Sequence, residues 1–400
     1  MNIVLERRES LSDIKIKSVF QPLYSVHEKK YIGVEALSRG INSKGLIPAP
    51  ELFNIPQNGH EKFNLNMRCI ENALKTLEKV PDLDGYSIFL NIDSSLMDTS
   101  AFDLEKFFSS LENTKIEAER IVIELIESRV KDFETLMDFV SACRKKGYLI
   151  ALDDAGAGYS NFERIVKIKP DVIKIDRALV DGVSEEFHKR EVCRALIELS
   201  RNIGALSLAE GIETLDDALE CQDMGVDLIQ GYYLSKPIES IAALDASTKK
   251  ISLFVETCNF TTKERNKRLR TDLARIKRQS LFIYNLLLDD DISDWDEILR
   301  SSIDRLPEAE CAYLLNKEGI QISKSALRTN VVYKKHFLFS PAKRGADHSQ
   351  KYYFLKRSPN QKWYISDPYL SSATGNICRT VSLYFEVNKN AYYLCLDIKN

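Results

Sequence analysis

The sequence predicts an α/β protein in which a closed barrel is followed by a smaller α+β domain. Short apolar runs alternate with longer amphipathic stretches through roughly the first 240 residues, as expected for repeated βα units. There are eight such runs, the number found in a TIM-type barrel. Beyond Pro237 the pattern changes to a long charged helix and then to short aromatic strands, so we expect a second domain.

The eight candidate strands lie at residues 19–23, 32–37, 87–92, 121–126, 149–153, 172–175, 206–209 and 228–232. Between them apolar residues recur at the helical spacing of three or four, as at Met67, Ile70 and Leu74. Only residues 24–31 separate the first two strands, whereas a parallel crossover needs about a dozen residues or more. We therefore predict an antiparallel hairpin at this point, and a TIM-like barrel with an antiparallel first strand.

A long charged helix is predicted from about residue 242 to residue 288. Its side chains at alternating steps of four and three form a seam close to a heptad repeat: Leu269, Leu273, Ile276, Ser280, Ile283 and Leu287. Two interpretations stay open. The helix packs on its own domain, or it pairs with a second copy of the chain in a homodimer.

The last hundred or so residues are rich in strands and aromatic side chains. The candidate strands here are residues 312–315, 352–355, 363–365, 377–387 and 391–398, with turns at residues 317–319 and 388–390. The pattern indicates a small α+β module. We therefore expect a barrel domain at residues 1–243, a helical linker at 244–290 and a second domain at 291–400.

Composition narrows the classes of function. The formal net charge of −3 and the isoelectric point near 6.1 provide no global attraction to a nucleic acid polymer or an anionic membrane. No apolar run approaches the roughly 20 residues that cross a bilayer, and the amino terminus lacks the apolar stretch of a signal peptide. We expect a cytoplasmic protein without membrane insertion. The 8 cysteines show no zinc-binding spacing, and we expect them to be reduced.

Polar side chains end most of the predicted barrel strands. In a barrel of this kind the carboxyl ends of the strands meet at one mouth, whatever their separation in sequence. Any one of these residues could simply cap a helix, but their repetition at strand after strand indicates a shared site. Six of the nine are carboxylates, and oxygen ligands favour hard cations such as Mg²⁺ or Mn²⁺ over Zn²⁺. The nine residues are Glu35, Asn91, Glu124, Asp153, Asp154, Lys174, Glu210, Glu213 and Gln230.

Several short motifs resemble those of one known family, the EAL-domain cyclic di-GMP phosphodiesterases, from about Ser18 to Pro237. They occur in the family's order, which is more specific than a single Glu-Ala-Leu tripeptide. The motifs are Phe20-Gln21-Pro22, Glu35-Ala36-Leu37-Ser38-Arg39, Leu90-Asn91-Ile92, Glu124-Leu125-Ile126-Glu127, Asp153-Asp154-Ala155-Gly156, Lys174-Ile175-Asp176, Glu210-Gly211-Ile212-Glu213 and Gln230-Gly231-Tyr232.

The resemblance implies a barrel with a reversed first strand and two cations, Mg²⁺ or Mn²⁺, in each active site. The first cation would be held by Glu35, Asn91, Glu124 and Asp153. The second would be held by Asp153, Asp154 and Glu210. Two cations about 4 Å apart can activate a water and stabilise the attacking and leaving oxygens of an in-line displacement. The substrate would be cyclic di-GMP, and the product linear pGpG with a 5′-phosphate.

The resemblance also implies catalytic roles for Lys174, Glu35, Glu127 and Glu213. Lys174 would orient or deprotonate the attacking water, or else serve only as a salt-bridge partner of Asp154. Glu127 would anchor the loop that follows Asp154. The implied substrate-binding residues are Gln21, Leu37, Arg39, Asp176, Gln230 and Pro237, of which Arg39 would contact a phosphate.

The segment from Trp363 to Gly375 looks like the ligand-binding sheet of Cache or PAS-like sensor domains. Its position behind an EAL domain is similar to the YkuI type of protein. The resemblance implies an unknown small ligand and a regulatory role for residues 291–400. The alternative is a module that serves only dimerisation or structure. The helix seam and the habit of the family together favour a homodimer.

Two other functions remain possible for the barrel. Some EAL domains bind cyclic di-GMP without cleaving it, but such receptors usually lack carboxylates of the metal set or the lysine, which this chain retains. A metal-dependent lyase acting on carboxylate substrates is the second alternative. The segment Lys167-Ile168-Lys169 resembles a two-lysine motif of such enzymes only superficially, because it leads into Pro170 rather than lying within a strand.

Overall fold

The computed structural model describes residues 11–80, 83, 85–126, 132–156, 162–241, 244, 248–289, 294–332, 339–356 and 362–399. The chain divides into two compact units, Met1–Thr262 and Lys263–Asn400. Each unit has a hydrophobic core of its own. The domain boundaries expected from the sequence, at residues 243 and 290, stay predictions.

The first unit contains a closed barrel. One continuous sheet has the strand order β1-β9-β8-β7-β6-β5-β4-β2-β3, and β1 also pairs with β2, which closes the ring. The short strand β3 only extends β2. The strands are β1 Lys15–Ser25, β2 Lys30–Asn42, β3 Gly45–Ile47, β4 Ser87–Asp93, β5 Ile121–Ile126, β6 Leu149–Ala155, β7 Val172–Ile175, β8 Leu206–Ala209 and β9 Leu228–Ile229.

The first barrel strand is reversed, as the short connection after it predicts. Strand β1 pairs antiparallel with β2 and with β9, whereas the pairs from β2 through β4 to β9 are parallel. Residues 26–29 make the turn, and Lys29 adopts a left-handed backbone angle of +56° there. The predicted TIM-like barrel with an antiparallel first strand is therefore confirmed.

Helices surround the barrel and cover its apolar strands. Helix α2 shows why these segments are helical, because Asn58 caps its amino terminus and its residues at three- and four-residue spacing are buried. The α-helices of this unit are α1 Ala49–Asn54, α2 Gly59–Leu77, α3 Leu104–Glu112, α4 Phe133–Lys145, α5 Phe162–Ile168, α6 Arg177–Val180, α7 Phe187–Ile203 and α8 Leu215–Met224. The long helix α9 Thr248–Asp289 begins in this unit and continues into the second. Short 3-10 helices occupy Leu11–Asp13, Ser94–Asp98 and Ala118–Arg120.

The second unit is built on an antiparallel sheet of six strands with the order β11-β10-β15-β14-β12, to which β13 adds by pairing with β14. Helix α10 covers one face, where Trp295 joins the core. Its elements after α9 are α10 Trp295–Ile303, β10 Ala309–Asn316, β11 Ala326–Leu327, α11 Tyr352–Leu355, β12 Trp363–Ile365, β13 Tyr369–Leu370, β14 Ile377–Val387 and β15 Asn390–Lys399. A separate strand-rich carboxyl-terminal part is thus confirmed. Its Cache or PAS-like character and its small ligand stay predictions.

The strand predicted at residues 352–355 is wrong, because these residues form the short helix α11. The carbonyl oxygen of Lys351 accepts hydrogen bonds from the N–H groups of Phe354 and Leu355, at 2.9 Å each. The side chain of Tyr353 is buried, with its hydroxyl 2.6 Å from Nδ1 of His348. The ring of Tyr353 also packs against that of Tyr313, with 6.4 Å between the ring centroids. These contacts override the strand preference of consecutive aromatic residues.

The carboxyl-terminal half of the predicted helix seam packs on the core of the second unit. Ile283 and Leu287 are fully buried in that core, and Ile276 packs against it. Ser280 is also buried and donates a hydrogen bond to the carbonyl of Ile276 at 2.8 Å. These four residues therefore fit the interpretation of a helix that packs on its own domain. Leu273 is partly exposed, and the predicted homodimer stays a prediction.

Among the described residues, we find no helix that has both the length and the apolar composition required to span a bilayer.

Candidate active site

The barrel interior has an apolar layer below a polar layer. The apolar layer is a compact cluster of one residue from nearly every strand: Leu23, Phe89, Val122, Ala151, Val172, Leu208 and Leu228. Side chains two positions apart in a strand point to the same side of the sheet. Two positions beyond each apolar residue of the parallel strands come the polar residues Asn91, Glu124, Asp153, Lys174, Glu210 and Gln230. On the reversed strand β1, Gln21 lies two positions before Leu23 for the same reason.

The side chain of Lys174 occupies the centre of the polar layer, where only 2% of it is exposed. Its Nζ atom lies 2.5 Å from Oε1 of Glu210 and contacts Oε1 of Glu124. It is also 3.2 Å from Oδ1 of Asp153 and 3.7 Å from Oε1 of Glu35. One buried ammonium group therefore contacts four carboxylates that belong to four different strands or strand ends.

The carboxylates form two groups with spacing suited to metal ions. In each group one oxygen of every member lies within 4.8 Å of the others. The first group is Glu35, Glu124 and Glu210, and the second is Asp153, Asp154 and Glu210. One buried oxygen atom, Oε2 of Glu124, accepts no hydrogen bond within the described part of the chain, and Oδ1 of Asp153 has the ammonium of Lys174 at 3.2 Å without hydrogen-bond geometry. Such oxygen-only sets fit hard divalent cations.

Burial raises the pKa of the carboxyls in this cluster. It raises the pKa of Glu210 to about 8 and that of Asp154 to about 7. Burial also raises the pKa of Glu124 well above its usual range, and Glu35 adds to that shift. For Lys174, burial lowers the pKa, but the surrounding carboxylates outweigh this effect and hold it well above its usual range. The raised pKa values favour protonated carboxyls when no cation is bound, so full ionisation of the cluster requires positive charge beyond that of its one ammonium.

Two amide side chains hold Glu35 in place. Nδ2 of Asn91 donates to Oε1 of Glu35 at 2.9 Å, and Nε2 of Gln230 donates to Oε2 at 2.8 Å. Glu35 itself lies within β2, which continues to Asn42, and not at a strand end as expected. The register aligns Glu35 with Phe89 and Asn91 with Glu124, so these residues still reach the same layer.

Two cavities open beside the cluster. A cleft of about 240 Å³ contains Gln21, Glu35, Asp153, Lys174, Glu210, Glu213 and Gln230 in its lining. A second cavity of about 480 Å³ contains Glu35, Leu37 and Asn91 in its lining. Glu35 lines both cavities, so both of them reach the carboxylate cluster.

The remaining sequence-predicted residues make other contacts or lie outside the described residues. The side chain of Asp176 accepts a hydrogen bond from the N–H of Ala178 and contributes to the raised pKa of Asp154. Arg39 donates to the carbonyl of Ser38 at 2.8 Å. Arg39 and Pro237 line neither of the two described cavities. Glu127 lies outside the described residues.

Sequence reasoning missed Arg177, which lines the cleft with the predicted residues. It follows Asp176 directly and begins helix α6, so its position resembles that of any basic residue in a first turn. The one sequence feature that could have indicated this contact is the glycine of the Glu210-Gly211 motif. A Cβ atom at residue 211 would lie only 2.5 Å from Cγ of Arg177, so the glycine is needed for this contact.

Gly231 is required by a close approach of two backbone segments at the rim. A Cβ atom there would lie 2.1 Å from the carbonyl oxygen of Ile212 and 2.3 Å from its nitrogen. We expect Gly231→Ala to lower the free energy of unfolding by about 3 kcal/mol, because backbone atoms cannot move aside as a flexible side chain can. Calorimetric unfolding measures the loss.

Gly204→Ala is the matched control for that experiment. Gly204 has a left-handed φ of +80°, with no atom within 4 Å of an added Cβ. Its replacement is expected to cost about 1 kcal/mol through backbone strain alone. Equal losses in the two variants would contradict the importance of the contact with Ile212.

The family follows from comparison with known proteins. The family model of the EAL domain matches residues 5–237, which is more than half of the 400 residues. The chain belongs to the EAL-domain family. Its EAL domain carries the carboxylate cluster described above.

Relatives of the EAL domain differ in how much of their length they share with this chain. The uncharacterized EAL-domain containing protein YkuI of Bacillus subtilis is 28% identical over 396 residues, which is 95% of this chain and 93% of YkuI. The probable cyclic di-GMP phosphodiesterase PdeI of Escherichia coli is 26% identical over 239 residues. That match covers 58% of this chain but only 30% of PdeI.

Solved structures share the fold. The crystal structure of YkuI, in complex with substrate cyclic di-GMP and calcium, superposes with a TM-score of 0.82 at 24% identity and covers 97% of both chains. BlrP1 of Klebsiella pneumoniae, in complex with manganese and cyclic di-GMP, covers 57% of this chain and 61% of its own, with a TM-score of 0.51 at 22% identity. Both of these proteins were therefore solved in complex with cyclic di-GMP and a divalent cation.

Proposed function

We propose that this protein hydrolyses cyclic di-GMP to linear 5′-phosphoguanylyl-guanosine with the help of two Mg²⁺ or Mn²⁺ ions. The observation that carries the proposal is the carboxylate cluster at the barrel mouth. It is buried, it opens to two cavities, and one of its buried oxygen atoms, Oε2 of Glu124, accepts no hydrogen bond from the described residues. Most buried polar atoms in folded proteins have a partner, so an unmatched carboxylate oxygen inside a cluster of carboxylates supports a cation site.

The net charge of the ionised cluster supports the proposal of two divalent cations. The two groups together contain five carboxylates, Glu35, Glu124, Asp153, Asp154 and Glu210, and their only close ammonium among the described residues is that of Lys174. When all five are ionised, four negative charges remain unmatched. Two divalent cations would neutralise these four charges. Burying an unpaired charge costs free energy, so bound cations would stabilise the folded protein by neutralising the ionised carboxylates.

The chemistry proposed is an in-line displacement at one phosphorus of the cyclic dinucleotide. Bound divalent cations would lower the pKa of a water molecule and stabilise the attacking and leaving oxygens. Lys174, placed among the ligands, holds a proton close to the reacting atoms and orients that water. The water oxygen forms a bond to phosphorus, the bond from phosphorus to the 3′-oxygen breaks, and the 3′-oxygen takes up a proton. Asn91 and Gln230 keep Glu35 fixed during the reaction.

The cavities match a ligand with two nucleoside halves around a central ring of phosphates and sugars. We propose that Gln21, Glu213 and Gln230 contact the substrate in the smaller cleft, and that Leu37 contacts it in the larger cavity. Contacts from Arg39, Asp176 and Pro237 are proposed from the family resemblance alone. The complexes of YkuI and BlrP1 with cyclic di-GMP support this class of substrate.

Chromatography of cyclic di-GMP incubated with the purified protein tests the proposal. After treatment with EDTA and desalting, we expect no linear product, because the oxygen ligands alone cannot activate water. Addition of Mg²⁺ or Mn²⁺ should restore product formation, and addition of Zn²⁺ should restore less. Tight binding of cyclic di-GMP with no product under any of these conditions would instead assign the protein to the receptors.

A further inference from the structure

We propose that Arg177 binds the phosphate of cyclic di-GMP that is not being hydrolysed. This inference rests on the proposed function and adds a substrate contact to it. The substrate carries two phosphodiester groups, and only one of them can lie at the carboxylate cluster during a single hydrolysis. The other needs a separate cationic partner in the same cleft.

The position of Arg177 meets that need. It lines the cleft that also contains Glu35, Asp153 and Glu210. Two basic residues are found among the described residues that line this cleft, Lys174 and Arg177. Lys174 is 2% exposed and contacts four carboxylates, so it is not free to meet a second phosphate. The side chain of Arg177 is 55% exposed and can do so.

The stem of Arg177 is held by a glycine. A Cβ atom at residue 211 would lie 2.5, 2.7 and 2.8 Å from Cγ, Cβ and Cδ of Arg177. Gly211 also has a left-handed φ of +66°, which a glycine adopts at low cost. The aliphatic stem therefore packs directly on the backbone that follows Glu210. This contact restricts the position of the guanidinium group. Because Gly211 is bonded to Glu210, the guanidinium is held near the carboxylate cluster.

The guanidinium group is oriented by Glu213. Nη2 of Arg177 lies 3.0 Å from Oε1 of Glu213. The ion pair is partly exposed, so its own contribution to stability is small. A guanidinium carries five N–H donors in a planar fork, and this pair uses only part of them. The remaining donors suit the two unesterified oxygens of a phosphodiester, to which arginine binds in a bidentate manner.

A positive side chain in the cleft would also reduce the electrostatic repulsion between the cleft and the ligand. Glu213 and the cluster carboxylates would repel a dianionic ring that approached the cleft unaided. Arg177 offsets the charge of Glu213 and presents a positive group to the ligand. The assignment gives Glu213 a positioning role through Arg177, in addition to the contact with the substrate proposed above.

Kinetics of Arg177→Gln with two substrates test the inference. For cyclic di-GMP we expect KM to rise about 10- to 100-fold with little change in kcat, as for the loss of a charge-assisted hydrogen bond to a ligand. Bis(p-nitrophenyl) phosphate is a phosphodiester with a single phosphate group. Its KM should stay within about twofold, because it has no second phosphate to lose. Arg177→Lys keeps the charge without the fork, and we expect an intermediate KM for cyclic di-GMP.

Arg190→Gln is the matched control, because Arg190 forms a comparable ion pair with Glu220 on the helical shell, away from the cleft. An unchanged KM for cyclic di-GMP in Arg177→Gln would overturn the inference. So would an equal loss of activity on both substrates, which would mean that Arg177 supports the carboxylate cluster instead. If the wild-type protein binds cyclic di-GMP without turnover, dissociation constants replace KM. If it neither binds nor cleaves the dinucleotide, the proposed function itself fails, and this is seen before any variant is made.

Discussion

Lys174→Met is expected to lower kcat for cyclic di-GMP by about a thousandfold or more and to destabilise the metal-free protein at the same time. The loss of turnover follows from the position of its ammonium group among the proposed metal ligands, within contact distance of Glu124 and 2.5 Å from Glu210. Removal of a group that positions or transfers a proton costs about 10²- to 10⁴-fold. Product chromatography at saturating substrate measures the change.

The loss of stability follows from charge. The ammonium of Lys174 is the only cation that contacts the four surrounding carboxylates among the described residues. Removal of one partner from a buried charge cluster costs about 3–5 kcal/mol, because the opposite charges stay buried and unmatched. Mn²⁺ or Mg²⁺ should restore part of this stability, since cations bound by the carboxylates neutralise the same charges. The midpoint of thermal unfolding with and without Mn²⁺ measures both effects.

Lys167→Met makes the same chemical change outside the site. The side chain of Lys167 is 46% exposed and pairs with Glu163 one turn away on α5. We expect an unchanged kcat and a change in stability of about 0.5 kcal/mol or less. If Lys174→Met unfolded at the wild-type temperature without metal ions, the four carboxylates would not depend on the lysine for their charge balance.

The barrel could be predicted because each of its strands leaves a local signal. Buried parallel strands are nearly continuous apolar runs, and the short connection of residues 26–29 permits only an antiparallel pair. The residue at which a strand ends is harder to predict from the sequence. Strand β2 extends to Asn42 because it pairs with β1 along its whole length and then with β3, and pairing partners are not visible in one segment. For this reason Glu35 was expected at a strand end and lies inside a strand.

The composition of the site could also be predicted, since polar residues end successive predicted strands of the barrel. Its charge balance could not. The contacts of Lys174 with Glu35 and with Glu124 join residues 139 and 50 positions apart, and only the closed barrel determines those distances. The resemblance implies that Asp153 is shared by the two cations, and this ligand set stays a prediction. In the structure Glu210 is the residue common to both oxygen groups, a placement that follows from the orientation of side chains at the rim.

Contacts between residues far apart in the sequence also explain the other features that the sequence alone does not predict. Arg177 reaches the cleft because Gly211, on the next strand connection, leaves room for its stem. Residues 352–355 form a helix because the ring of Tyr353 packs in the core of the second unit against Tyr313, which lies 40 positions earlier. The helix seam near Ile283 is likewise decided by the sheet beneath it. In each case a residue type that is common in many settings acquires its role from a partner far away in the sequence.

Glu35→Ala is expected to reduce the rate of linear product formation by about a thousandfold or more. Glu35 contributes to the first oxygen group and lines both cavities. Its removal takes away a charge that would hold a cation and leaves the amide donors of Asn91 and Gln230 without their acceptor. A metal ligand supports several kcal/mol of transition-state stabilisation, which corresponds to this factor in rate. Titration with Mn²⁺ should show fewer than two ions bound.

Two further variants separate charge from shape. Glu35→Gln keeps the volume and one acceptor oxygen, so it should be as stable as the wild type within about 1 kcal/mol and yet nearly as inactive as Glu35→Ala. Glu28→Ala removes a carboxylate from the β1–β2 turn, where Glu28 pairs with Lys30, and should leave turnover unchanged. If Glu35→Ala and Glu35→Gln retained wild-type rates, hydrolysis would not pass through this cluster. Membership of the EAL family alone would then not support catalysis, because the same barrel can also hold cyclic di-GMP without cleaving it.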